Sequence, residues 1–147
     1  MNIAIRKLKI ALPVLLLLAM VSALAVATSG VKVIANPSVK PQSISADDLK
    51  RVFLGVSRSL ADGSRVQPVL AKSGPAHEAF IKSYLGKSDA ALQTYYRCLV
   101  FTGKGLMPKT VNSDAEMVEY VAKTTGAIGY VSAGADSKGV KTLQVEQ

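Results

Sequence analysis

The segment Gly126-Ala127-Ile128-Gly129-Tyr130-Val131 constrains this chain more than any other, because a well-punctuated helix runs directly into it. Ser113-Asp114-Ala115-Glu116 has the capping-box pattern, in which Ser113 and Glu116 each satisfy a helix-terminal N–H. Met117, Val118 and Val121 supply apolar positions at helical spacing, and Lys123 falls in the last turn, where a cation complements the helix dipole. Gly126 is placed for the left-handed residue that ends such a helix. The residues after it predict a short, mostly buried strand. Gly129 inside that strand marks a close approach by another backbone or a ligand, since an interior glycine otherwise only weakens the ladder.

The same punctuation recurs upstream. Val31 to Ala35 alternates as a strand, and Asn36-Pro37 ends it. Ser45 reads as an N-cap with Asp47 and Asp48 in the first turn, Leu49, Val52 and Phe53 as the buried stripe, and Gly55 as the stop. Asp62-Gly63 is a turn, and Val66 to Leu70 the next strand. Gly74-Pro75 opens a helix carrying Ala79, Phe80 and Tyr84 on one face, with proline where only a partnerless N–H is lost, and Gly86 stops it. Ser88-Asp89 caps a further helix through Leu92, Tyr95, Tyr96 and Leu99. A loop from Thr102 past Pro108 follows, Val111 leads into the helix capped by Ser113, and Val140 to Val145 predicts a final strand. Strands alternating with helices of this length predict an α/β fold, one compact three-layer domain.

The sharpest chemical feature is the turn Lys72-Ser73-Gly74-Pro75. A helix N-terminus exposes unpaired N–H groups and carries partial positive charge, which makes it an anion site. Ser73 offers a hydroxyl, Gly74 lets a ligand approach the backbone, and Lys72 adds charge. The competing reading is that Ser73 is an ordinary N-cap. Lys104, between Gly103 and Gly105, is either a second cation near the same edge or a solvated loop residue.

These features together resemble the phosphate-type periplasmic substrate-binding proteins that feed ABC importers. The resemblance rests on Leu49-Lys50-Arg51-Val52-Phe53-Leu54-Gly55, similar to their helix ending in Ile-Phe-x-Gly. It rests also on Asp62-Gly63 before Val66-Gln67-Pro68-Val69, on Ser73-Gly74 where they place a Ser-Gly-Thr anion-binding turn, and on Gly126 to Val131. It implies a PBP-like domain, a single lobe resembling one domain of a type II periplasmic binding protein. It also implies a phosphate ABC transporter substrate-binding function, with Lys72, Ser73 and Gly74 as ligand-binding residues and no cofactor. The implied partners are a small phosphate-like oxyanion and an ABC permease. This chain departs from the pattern in two places: Val69 stands where the family has an arginine, and Pro75 where it has a threonine. Arg58 or Arg65 is the substitute for that arginine if folding brings either near the turn. The alternative is a ligand-free interaction protein on the same fold, an adaptor for a sensor or transporter in the envelope. Self-association, in which two copies complete a cleft, is a third reading.

Composition bounds the rest. Arg6, Lys7 and Lys9 precede an apolar run from Ile10 to Leu24, and Ala25-Val26-Ala27 offers small residues for cleavage after Ala25 or Ala27. Residues 1–27 are read as a signal peptide and 28–147 as one domain, which places the mature chain in the periplasm. An N-terminal membrane anchor is the alternative, because the run is long for a signal. The formal net charge of +8 loses three cations and no acid with that segment, leaving +5. About 120 residues remain, enough for one core and too few for two ligand-gripping lobes. No basic cluster with interleaved aromatics is present, so nucleic acid is not an expected partner. Cys98 is the only cysteine, and its apolar neighbours predict a buried side chain. With one histidine, His77, no metal set can be assembled. Neither Ser73 with His77 nor Cys98 with His77 forms a catalytic motif, so an enzyme is not expected.

Overall fold

A computed structural model describes residues 30–147; the signal-peptide reading of residues 1–27 lies outside the described residues. Six strands form one sheet in the order β2-β6-β1-β5-β3-β4. They are β1 (Val31–Ala35), β2 (Ser43–Ser45), β3 (Gln67–Ala71), β4 (Lys109–Val111), β5 (Ala127–Ser132) and β6 (Lys141–Glu146). β1 runs antiparallel to both neighbours, β5 and β6, while β5, β3 and β4 are mutually parallel.

Helices cover both faces of this mixed sheet. On one side lie α1 (Ala46–Phe53), α2 (Pro75–Phe80) with the π-helical turn Ile81–Leu85 that continues it, and α3 (Asp89–Phe101). Their core is Leu49, Phe53, Phe80, Leu85, Leu92 and Tyr96 against Val33, Leu70, Ile128 and Tyr130. On the other side α4 (Asp114–Lys123) packs Met117 and Val121 against Ile34, Val69, Ala127 and Val131. The period-2 alternation of β5 therefore feeds two cores, and the expected three layers are present.

Local punctuation is realised with one exchange of partners. Ser45, Ser88 and Ser113 accept the N–H groups of Asp48, Ala91 and Glu116. The Glu116 carboxylate, however, takes the N–H of Asn112 at 2.8 Å rather than that of the cap residue. Gly126 has φ of 76°, and a Cβ there would stand 2.6 Å from the Arg65 carbonyl oxygen. Only glycine fits that position. At Gly129 the approaching group is neither backbone nor ligand. An added Cβ would meet Met117 Sδ at 2.5 Å, so the missing side chain is what lets α4 settle on the sheet.

Asn36 holds the end of that helix. Its Nδ2 donates to the carbonyls of Val121 and Ala122 at 2.9 and 3.0 Å, and its Oδ1 accepts from the Ser38 N–H. Two three-residue strands carry no sequence signal of their own: β2, which runs into the Ser45 cap, and β4, which ends at Val111. Cys98 is exposed, contrary to expectation, because α3 turns that face away from the sheet. No helix among the described residues is long and apolar enough to cross a membrane.

Candidate functional site

The Lys72–Gly74 turn lies where β3 ends, at the pole where β5 also finishes. Lys72 donates its N–H to the Val111 carbonyl of β4 at 2.8 Å, which fixes the base of the turn. Gly74, not Ser73, is the N-cap of α2; its φ of 110° and ψ of 169° suit glycine alone, and no side chain caps the helix. Ser73 as an ordinary N-cap is thereby corrected. Its hydroxyl makes no hydrogen bond among the described residues, and both Ser73 and Lys72 are exposed.

The backbone donors are equally free. Among the described residues no acceptor takes the N–H groups of Ser73, Gly74, Ala76 or His77; the next donor, Glu78, bonds the Gly74 carbonyl. A Cβ on Gly74 would meet nothing within 4 Å, so the surface over the turn is open. The turn thus presents the Ser73 hydroxyl and the Lys72 ammonium group to solvent beside unpartnered amides, while the His77 amide belongs to a buried residue.

Arg58 and Arg65 do not supply a guanidinium here. Both line a groove with Ser59, Gln67 and Thr125, at the opposite end of β3 from Ser73. Five strand residues at about 3.3 Å each place roughly 15 Å or more between them. Lys104 also belongs to that far pole, where its N–H bonds the Leu99 carbonyl after the end of α3. Carboxylates share the pole of the turn instead. Glu78 and Asp89 line one depression beside α2, and Asp114 accepts the Ser132 N–H.

Beneath the turn lies a buried relay that spacing could not reveal. His77 is only 1% exposed. Its Nδ1 is 2.5 Å from the Tyr130 hydroxyl and its Nε2 is 3.0 Å from Asp89 Oδ1, while the Ala71 N–H donates to Tyr130 at 3.0 Å. The set closes if Nε2–H donates to the Asp89 carboxylate, Tyr130 donates to Nδ1, and Tyr130 accepts from Ala71. Burial pushes the Tyr130 phenol up from its ordinary value, opposed by the Ala71 hydrogen bond. The ring is pinned as well, stacked on Phe80 with centroids 3.9 Å apart. Both ring nitrogens of His77 are taken, by Tyr130 and Asp89 and not by Ser73 or Cys98, and a ligand at the turn cannot reach a ring so enclosed. Its work is to hold the end of β3 against α2 and α3. Among the described residues no group of three metal-ligating side chains is assembled.

Solved structures share this architecture. The match to an ABC-type phosphate transport receptor from Vibrio cholerae has a TM-score of 0.57 at 18% identity, over 80% of this chain and 47% of that one. A putative phosphate ABC transporter substrate-binding protein from Clostridium perfringens, solved with bound phosphate, gives 0.56 at 14% identity, over 79% and 44%. PstS from Borrelia burgdorferi gives 0.54 at 20% identity, over 80% and 47%. The chain therefore spans about half the length of these proteins, and what it shares with them is the fold. No family model and no curated protein matches the sequence.

Proposed function

We propose that this chain is an exported, single-lobe relative of phosphate-type substrate-binding proteins that holds a small oxyanion weakly at Lys72, Ser73 and Gly74. The observation that carries this reading is the run of unpartnered N–H groups at Ser73, Gly74 and Ala76 beside the exposed Ser73 hydroxyl. Such amides converge on an anion without needing a guanidinium. Three features keep the binding weak: Val69 in place of an arginine, Pro75 in place of an N–H donor, and exposure of the turn to water and salt. The reading is of a binding module and not an enzyme, one that serves an ABC permease in the periplasm.

Thermal unfolding in phosphate against matched chloride tests it. A ligand at ten times its Kd stabilises by about 1.4 kcal/mol. Ser73→Ala and Lys72→Ala are expected to remove most of that shift, and Pro75→Thr to enlarge it by restoring an N–H and adding a hydroxyl. No phosphate-specific shift, or one indifferent to all three substitutions, would end the proposal.

A further inference from the structure

All the large apolar side chains that stand exposed among the described residues belong to one pole, the one opposite the Lys72–Gly74 turn. Val56 (64% exposed) follows the end of α1, Val100 and Phe101 (46% and 94%) end α3, and Leu106 and Met107 (75% and 43%) lie in the next loop. Val100, Phe101, Leu106 and Met107 border adjoining grooves, and Val56 stands between Gly55 and Ser57 of one of them. Tyr95 and Tyr96 donate to the carbonyls of Leu54 and Phe53, which ties α3 to the end of α1, and Gly105 folds back onto the Leu99 carbonyl. Met107 borders both the groove beside Phe101 and the one that reaches Arg58.

Cations ring this patch. Arg58, Arg65, Lys104 and Lys109 have no carboxylate within ion-pair distance among the described residues, and Lys109 stands over the Tyr120 ring. The acids of this pole are few and engaged: Asp62 accepts from Ser64, and Glu119 pairs with Lys123. Glu78, Asp89, Asp114 and Glu116 all lie toward the other end.

We propose that this pole docks on an anionic lipid bilayer. Exposed apolar surface on a folded domain marks an interaction site. Here Phe101 and Leu106 project singly from a helix end and a loop, with cations between them. A protein partner would need a pocket cut for each projection. A bilayer accepts them all at the headgroup boundary, while lysine and arginine heads meet lipid phosphates. The inference stands apart from the oxyanion reading, because it uses none of the same residues.

The test is sedimentation of the protein, as recovered from the producing cell, with phosphatidylcholine vesicles with and without phosphatidylglycerol. Binding is expected only with phosphatidylglycerol, weakening as salt rises. Arg58→Gln with Arg65→Gln is expected to lower the partition on the order of tenfold. Phe101→Ser with Leu106→Ser is expected to lower it as well while leaving the urea midpoint and any phosphate shift in place. Equal binding to both vesicle types, no binding, or indifference to both double variants would overturn the proposal. Retention of an acidic envelope protein without vesicle binding would also overturn it, and would assign the pole to a protein partner.

Discussion

The Tyr130 hydroxyl lies 2.5 Å from His77 Nδ1, and through that contact two strands and two helices share one hydrogen-bonded chain. Ala71 at the end of β3 donates into it, and Asp89 at the start of α3 closes it. Ala71 immediately precedes Lys72, so the base of the candidate anion turn is anchored in the core although its tip is open.

Tyr130→Phe tests the strength of that anchor. The change leaves the part-buried Ala71 N–H and the buried His77 Nδ1 without a partner, which costs about 1–3 kcal/mol. Urea unfolding is expected to show a lower midpoint at an unchanged slope. An unchanged midpoint would mean that water replaces the hydroxyl.

Alkaline pH should loosen the fold in a definite direction. Burial raises the phenol of Tyr96, which donates to the Phe53 carbonyl at 2.5 Å, and that of Tyr130. The folded chain keeps both protons while the unfolded chain loses them above about pH 10. Their stabilisation is therefore complete below pH 10 and declines as pH rises toward the folded values, by about 1.4 kcal/mol per pH unit for each group. Urea midpoints measured across this range should fall less steeply in Tyr96→Phe than in the parent.

Gly129→Ala puts a methyl 2.5 Å from Met117 Sδ and 3.3 Å from Val121 Cγ2. Overpacking of this kind costs about 1–3 kcal/mol. In a Met117→Ala background the same change should cost much less, because the sulfur it strikes is gone. A double-mutant cycle in urea measures the coupling, and additive costs would show that α4 shifts as a body instead.

Cys98 is expected to react with a maleimide in the native protein, since it is exposed on α3. Cys98→Ser should change stability by no more than about 0.5 kcal/mol. Labelling that requires denaturant would contradict this placement.

The elements that were legible in the chain are those whose signals are local. Ser45, Ser88 and Ser113 cap as their spacing indicates, and Gly55, Gly86 and Gly126 take left-handed conformations where stops were expected. Gly129 was read as a close approach, but the approaching group came from a helix side chain, which no strand pattern identifies. Apolar neighbours in sequence do not bury Cys98, because Val100 and Phe101 are themselves exposed. The Tyr130–His77–Asp89 chain joins residues up to 53 positions apart and leaves no spacing to read.

Caps, glycine stops and apolar periodicity act within a few residues, so the four helices and the longer strands follow from the chain alone, while the three-residue strands β2 and β4 do not. Which pole each charge occupies does not. The strand pairings that set Arg58 and Arg65 at the far end of β3 from Ser73, and gathered Val56, Phe101 and Leu106 beside them, are long-range contacts that arise only when the sheet assembles.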